Sequence, residues 1–242
     1  MFDTLNFFKK PQTSKLGDKL DQLSKLYLNS PSSEKIKKAI EFADSAHQGQ
    51  YRKSGEPFLM HPINVGLILA SLKMDADTII AGLLHDVVED CEIPISKVKK
   101  EFGKNVSVLV NGVTKLLQLD EKIKGDSQAE NFQKMALATA EDVRVVIIKL
   151  ADRLHNLKTI EHLPREKQIK KSRETLDLYA PLAHQIGMHK MAVELEDISF
   201  KTIHPIRHQM IEDALKKNDL SRDHLISRAV SYTHLRAHET EA

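Results

Sequence analysis

One short run of ionisable residues lies inside an apolar segment of the sequence, Leu83-Leu84-His85-Asp86-Val87-Val88-Glu89-Asp90. If the run is helical, His85 and Glu89 are i,i+4 neighbours. Asp86 and Asp90 have the same spacing, so the four groups would line one side of a helix. Carboxylates beside an apolar core are costly to bury unless a metal, a cation or a proton compensates them. The sequence therefore predicts a positively charged group in front of this helix.

The composition is that of an ordinary globular protein and excludes several other classes. The 242 residues suffice for one large or two small domains. Because 36 basic and 34 acidic residues leave a net charge of +2, there is no general case for binding nucleic acid or a membrane, and any anion site must be local. The single Cys91 excludes an internal disulfide and a cysteine-rich metal site. With neither a signal peptide nor a membrane span in the sequence, we predict a cytoplasmic protein.

The spacing of apolar residues predicts an all-α fold, because it is helical almost everywhere and long alternating stretches are missing. A polar loop is expected at 118–126. The predicted helices cover 14–29, 36–46, 63–72, 75–90, 95–102, 106–117, 126–140, 142–157, 166–179, 180–187, 189–200 and 206–217.

The helix at 142–157 carries a second informative pattern. It begins as a continuous apolar run that could be a buried strand, but the run continues at helical spacing, so we predict one long buried helix. On it, Asp152, Asn156 and Thr159 follow at i, i+4 and i+7 and form a polar stripe. Taken alone, Asp152 has a simpler explanation, a surface pair with Arg153.

The irregular segment 47–58 is a candidate anion-binding loop. Arg52, Lys53 and Ser54 precede Gly55, which suits contact with an anion by side chains and backbone together. On loop chemistry alone, a solvated basic loop is the simpler interpretation.

A possible metal site emerges when the separate signals are combined. Two imidazoles and two carboxylates fall on three predicted helices, on or at the edge of apolar segments: His61, His85, Asp86 and Asp152. This mixed nitrogen and oxygen set suits Mn²⁺ or another divalent ion with open coordination positions. Glu89 and Asp90, one turn on, are candidates either for groups that orient the metal ligands or for acid–base groups. The predicted chemistry is metal-assisted hydrolysis of a phosphate ester or anhydride.

The same four residues resemble the metal-binding pattern of the HD phosphohydrolase superfamily, an all-α helical fold. Longer runs resemble the hydrolase domain of the RelA/SpoT homologue family, which makes and degrades the alarmones ppGpp and pppGpp. The resemblance spans roughly residues 15–205. It is carried by the runs 47–62, 81–90, 112–116, 128–132 and 149–156.

This resemblance implies a role for each candidate residue. The implied Mn²⁺ ligands are His61, His85, Asp86 and Asp152. Glu89 and Asp90 are implied to act on the attacking water and the leaving 3′-pyrophosphate. The implied contacts to the guanine nucleotide are Arg52, Lys53 and Ser54, with Asn156 and Thr159 near its ribose and phosphates. Synthetase-only members have lost the His-Asp and Glu-Asp pairs, and this chain has both. The implied reaction is hydrolysis of (p)ppGpp to GDP or GTP plus pyrophosphate in the stringent response.

The resemblance also suggests how the chain is divided. We expect a lead-in at 1–13, the HD hydrolase domain at 14–200, and at 201–228 the start of a linker toward a synthetase domain. Residues 229–242 resemble a translated sequencing-library adapter. We therefore expect this tail to be non-native and the native protein to continue beyond residue 228; a real C-terminal helix is the alternative. A stand-alone small alarmone hydrolase is the other possible architecture.

Two other functions stay open. One is a regulatory nucleotide-binding fragment of a (p)ppGpp synthetase, or GTP pyrophosphokinase, parent. The other is an HD hydrolase of a different nucleotide such as a dNTP, against which only the Arg52–Ser54 loop and the longer runs argue. Any ribosome binding would belong to the full-length parent.

Overall fold

Helices account for the fold of the chain in the computed structural model, which describes residues 10–122 and 142–216. Within these ranges no strand forms, only one isolated bridge between Tyr51 and Pro57, so the predicted all-α class is confirmed. A 3₁₀ turn, Ile160–His162, follows the helix Val143–Lys158, and a π-helical turn, Thr175–Tyr179, joins the helices Arg165–Glu174 and Ala180–Gln185. The helices are α1 (Lys10–Lys25), α2 (Ser30–Ala46), α3 (Met60–Ser71), α4 (Ala76–Leu83), α5 (Val87–Asp90), α6 (Ile95–Phe102), α7 (Lys104–Lys122), α8 (Val143–Lys158), α9 (Arg165–Glu174), α10 (Ala180–Gln185), α11 (His189–Ile203) and α12 (205–216).

The centre of the fold is α8, the helix that the sequence predicts to be long and buried. It packs against α3, α4, α7 and α11 and is buried on nearly every side, which confirms that prediction. The buried residues of α8 include Lys149, Asp152, Arg153 and His155, so these polar groups must be satisfied inside the protein. In the described part of the chain, none of the helices combines the length and the apolar character that crossing a bilayer requires.

Several predicted boundaries are shifted, and two of the shifts have clear local reasons. Helix α1 begins at Lys10 rather than at residue 14, because Pro11 falls in the first turn, where its missing N–H is not needed. Helix α7 continues to Lys122, so the predicted loop at 118–126 is helical in its first part. Its Gln, Glu and Lys residues are good helix formers as well as polar. The predicted helix at 126–140, the run at 128–132 and the tail at 229–242 lie outside the described residues.

The predicted helix through residue 90 is interrupted at its centre. Residues 84–86 form a turn between α4 and α5. The ring of His85 takes part in this break, because its Nδ1 lies 2.7 Å from the carbonyl oxygen of Gly82. A continuous helix would offer that oxygen to the backbone N–H of Asp86. The break turns His85 into the interior, where it is completely buried.

Gly82 also allows α3 and α4 to approach closely. Alanine substitution should therefore change the free energy of unfolding in opposite directions at Gly82 and at a second helical glycine, Gly17. A Cβ at Gly82 would clash with Cδ1 of Leu69, a fully buried side chain. The clash should cost about 1–3 kcal/mol, more than the ~1 kcal/mol that alanine gains in a helix. At Gly17 the nearest atom to such a Cβ is Ile40 Cδ1 at 3.9 Å, so only the gain applies. We expect Gly82→Ala to lower and Gly17→Ala to raise the free energy of unfolding in urea; shifts in the same direction would contradict this.

Candidate functional site

Four polar side chains from three parts of the chain meet beside the break between α4 and α5. Nε2 of His61, from α3, lies 3.5 Å from Asp86 Oδ2 and 3.2 Å from Asp152 Oδ1, on α8. Nε2 of His85 lies 3.0 Å from Asp86 Oδ1 and 3.8 Å from Asp152 Oδ1. Ligand atoms of His61, His85 and Asp86 all lie within 4.8 Å of one another. The structure thus brings all four predicted metal ligands together.

The hydrogen bond of His85 determines which of its ring nitrogens faces this cluster. A carbonyl oxygen can only accept, so Nδ1 donates to Gly82 and Nε2 faces the cluster, carrying the lone pair in the neutral ring and the second proton in the charged ring. Nε2 is fully buried and has no hydrogen-bond partner of good geometry among the described residues. A buried lone pair next to carboxylates is unfavourable unless a cation lies between them.

The orientation of His61 is determined in the same way by its neighbours. Its Nδ1 lies 2.8 Å from Nδ1 of His155, and that nitrogen also lies 3.3 Å from Nη1 of Arg52. A guanidinium can only donate, so His155 Nδ1 accepts and His61 Nδ1 donates. The lone pair of His61 is therefore on Nε2, directed at the same two carboxylates as that of His85.

The charges at the cluster favour a cation strongly. Burial opposes the charged form of His85, yet Asp86 and Asp152 raise its pKa well above its usual range. Burial alone would raise the pKa of Asp152, but Lys149, His61 and His85 hold it well below its usual range. Burial dominates at His61 and lowers its pKa. Two imidazole lone pairs and two carboxylates around one point are a donor set that fits a divalent metal ion.

The predicted acid–base residues lie on α5, next to the cluster but exposed. The i,i+4 relation between Asp86 and Asp90 holds, because the Asp90 N–H donates to the Asp86 carbonyl over 2.8 Å. The prediction that Glu89 shares a helix face with His85 is wrong, since the break buries His85 and leaves Glu89 exposed. Partial burial raises the pKa of Asp90, and the charge of Asp86 adds to the shift. Asp90 therefore holds a proton more readily than an ordinary aspartate.

A cavity of about 360 Å³ adjoins the cluster. Asn156 lines it and donates from Nδ2 to Asp152 Oδ1, so one side chain touches both cavity and cluster. All five predicted nucleotide-binding residues line this cavity: Arg52, Lys53, Ser54, Asn156 and Thr159. The remaining lining residues are Tyr51, Phe58, His162, Leu163 and Lys171.

Arg52 is held in the cavity wall by a tight turn. Its N–H donates to the carbonyl of Glu56, and its own carbonyl accepts from Gly55, whose φ of +79° is in the left-handed region that favours glycine. Nη2 of Arg52 donates to Asn156 Oδ1 over 2.6 Å. Burial lowers its pKa, but the guanidinium stays charged and forms no ion pair with any described residue. Its charge is available to an anion in the cavity.

Three residues of the site carry no sequence-based prediction. Lys149, whose Nζ lies 3.3 Å from Asp152 Oδ2, and His155 are three residues before and after Asp152, so helical spacing could have found both. Lys171 reaches the cavity from α9, and only tertiary structure brings it there. Partial burial lowers its pKa, and Arg153 adds to this shift.

Comparison with known proteins identifies the class of this site. The HD domain family profile matches residues 39–189, and the chain belongs to that family. Over 216 residues it is 42% identical to "Bifunctional (p)ppGpp synthase/hydrolase SpoT" of Escherichia coli K12, covering 89% of this chain and 31% of that protein. Over 194 residues it is 47% identical to "GTP pyrophosphokinase" of Streptomyces coelicolor, covering 79% of this chain and 22% of that protein. The resemblance to the RelA/SpoT homologue family is confirmed.

The chain spans less than a third of the length of these curated relatives. A solved structure of a metazoan orthologue of SpoT has a TM-score of 0.50 and 24% identity, covering 74% of this chain and 97% of that one. At that identity the likeness supports the fold alone.

Proposed function

We propose that this chain hydrolyses (p)ppGpp to GDP or GTP plus pyrophosphate, with Mn²⁺ as the metal, as a cytoplasmic enzyme of the stringent response. The observation that carries the proposal is the convergence of two imidazole lone pairs and two carboxylates on one point beside a cationic cavity. The names of the relatives supply the substrate class.

The metal would be held by His61, His85, Asp86 and Asp152. The mixed nitrogen and oxygen donors suit Mn²⁺ better than Mg²⁺, which prefers oxygen alone. When bound, the ion supplies Lewis acidity that lowers the pKa of water and polarises a phosphoryl oxygen. Lys149 neutralises part of the charge of Asp152 and fixes the direction of its carboxylate.

Glu89 and Asp90 act on the attacking water and on the 3′ oxygen of the nucleotide, from which the pyrophosphate is released. The oxygen of water bonds to the phosphorus next to the 3′ oxygen. The bond between that phosphorus and the 3′ oxygen breaks, and the 3′ oxygen takes up a proton. One carboxylate receives a proton from the water and the other donates one. Asp90, whose N–H is bonded to the Asp86 carbonyl beside the cluster, is assigned the donating role, and the exposed Glu89 the receiving one.

The cavity binds the nucleotide mainly through charge. Arg52, Lys53 and Lys171 bring three cations to it, which suits the phosphates. Asn156 holds the boundary between nucleotide and metal, near the ribose. Ser54 is oriented by a hydrogen bond from its Oγ to Glu56 Oε2 over 3.2 Å. Thr159, at the end of α8, completes the wall.

The direct test is hydrolysis by the purified chain. With ppGpp and Mn²⁺, we expect GDP and pyrophosphate to appear in equal amounts by anion-exchange chromatography. A chelator should stop the reaction because the buried donor set then lacks its cation, and added Mn²⁺ should restore it. A parallel series with Mg²⁺, Co²⁺ and Zn²⁺ tests the choice of metal.

The same assay separates the alternatives. Binding of ppGpp without turnover under any of these ions would favour the regulatory fragment of a synthetase parent. Faster turnover of a dNTP than of ppGpp would favour an HD hydrolase of another nucleotide, and would contradict the proposed substrate.

A further inference from the structure

The ring of His155 lies between the metal cluster and the cavity, and the proposed mechanism assigns it no role. It is on α8, three residues after Asp152, and only 9% of it is exposed. Its Nδ1 lies 2.8 Å from His61 Nδ1 and 3.3 Å from Arg52 Nη1. One nitrogen atom therefore contacts both a metal ligand and a wall residue of the cavity.

The chemistry of these two contacts leaves a single arrangement of protons. Arg52 has donors only, so the shared nitrogen of His155 must be an acceptor. His61 must then donate from Nδ1, which leaves its Nε2 lone pair free for a metal. If His155 carried its proton on Nδ1, His61 would have to accept there, and its own proton would point at the cluster. His155 thus determines whether His61 can act as a ligand.

A hydrogen-bond acceptor behind a ligating histidine does more than select the tautomer. It fixes the orientation of the ring and makes the ligating nitrogen more basic, and losing it lowers metal affinity by about 10- to 100-fold. Such acceptors are usually carboxylates or carbonyls. Here a neutral imidazole has the role, and its lone pair is shared with the guanidinium of Arg52.

A second chain of contacts runs parallel to the first. Arg52 Nη2 donates to Asn156, and Asn156 donates to Asp152. Arg52 is therefore one side chain removed from two predicted ligands, through His155 to His61 and through Asn156 to Asp152. Movement of the guanidinium toward a bound anion would change both connections.

We propose that His155 is a positioning residue that holds His61 in its metal-binding tautomer and couples it to Arg52 in the cavity wall. The proposal rests on the metal site of the proposed function and deepens it. Metal affinity then depends on a residue that touches neither metal nor substrate, and depends on Arg52 through that residue.

The first test is calorimetric titration of Mn²⁺ into metal-free protein, which needs no turnover. His155→Leu removes the acceptor, and His155→Gln moves its oxygen beyond the position of Nδ1. Both should weaken Mn²⁺ binding by about 10- to 100-fold. His155→Asn places an amide oxygen near the position of Nδ1 and should stay within about threefold of the unmodified chain. If His155→Leu does not fold, the contrast between the two amides Gln and Asn, which differ in length by one methylene, gives the same answer.

Two controls separate failure of this inference from failure of the metal site. Asp86→Asn should lose Mn²⁺ binding altogether; if it binds normally, the proposed metal site is wrong. If Asp86→Asn loses the metal and both His155→Leu and His155→Gln keep it within threefold, only the role of His155 is wrong. His189→Asn, at an exposed histidine whose ring contacts the exposed His184, should bind Mn²⁺ normally.

The link to Arg52 is tested by a double-mutant cycle on the same affinity. Arg52→Met keeps the apolar stem and removes every donor. If the guanidinium acts through His155, the combined effect of Arg52→Met and His155→Leu should differ from the product of the single effects by more than threefold, because contacting residues couple. Agreement with the product within threefold would show that Arg52 does not act through His155.

Discussion

Asp86→Asn is expected to reduce hydrolysis of ppGpp by about three orders of magnitude, equivalent to about 4 kcal/mol in the activation barrier, while the protein stays folded. Its two carboxylate oxygens lie 3.5 Å and 3.0 Å from the Nε2 atoms of His61 and His85. Asparagine preserves the shape and removes the charge that holds a cation between these rings. The measurement is turnover of ppGpp at the Mn²⁺ concentration that saturates the unmodified chain, alongside circular dichroism to verify the fold.

A matched substitution makes this result interpretable. Asp44→Asn removes the same charge from the exposed face of α2, outside the site, and should leave turnover unchanged. Metal-dependent turnover of Asp86→Asn within tenfold of the unmodified chain would refute the assignment of Asp86 as a ligand.

The second large effect on catalysis is expected for substitution of Arg52, whereas substitution of the adjacent Lys53 should have a small effect. Arg52→Ala should lower kcat/KM by about 100-fold, because a partly buried, charge-assisted contact is worth about 1.5–3 kcal/mol. Its loss should also lower kcat, since Asn156 and His155 lose a donor. Lys53 is exposed, so Lys53→Ala should cost only about 3- to 10-fold, mainly in KM.

Salt distinguishes the two residues further. Steady-state kinetics at increasing ionic strength should reduce the effect of Lys53→Ala toward zero, because exposed charges are screened. The effect of Arg52→Ala should persist. Equal losses for the two variants at low salt would contradict the position of Arg52 as the inner cation of the cavity.

Much of the fold and of the candidate site could be predicted because the signals are local. The apolar spacing along 142–157 identifies a buried helix, and a polar residue on such a helix must find a partner inside. Asp152 is therefore informative as soon as the helix is recognised. The His85-Asp86 pair is informative for the same reason, although the continuous helix predicted there is wrong.

The break in this helix has a physical cause that the spacing of apolar residues does not reveal. The break after α4 depends on the His85 ring taking the Gly82 carbonyl, a competition between side chain and backbone. The sequence does not predict the helical residues 118–122, because a polar composition is compatible with either a loop or an exposed helix. Local spacing therefore does not determine whether a side chain or the backbone takes a given carbonyl, or whether a polar segment forms a helix or a loop.

The sequence by itself determined the helical class, the buried helix α8 and the residues able to ligate a metal, because periodicity and residue chemistry are properties of the chain. The tertiary structure was needed to show which ring nitrogens face the cluster. It was also needed to show which side chains contact the ligand residues on the side away from the cluster. Those depend on contacts between residues far apart in sequence, such as His155 with His61 and Arg52. Proton positions in a buried network are set by the donors and acceptors that folding brings together, and a linear pattern does not specify them.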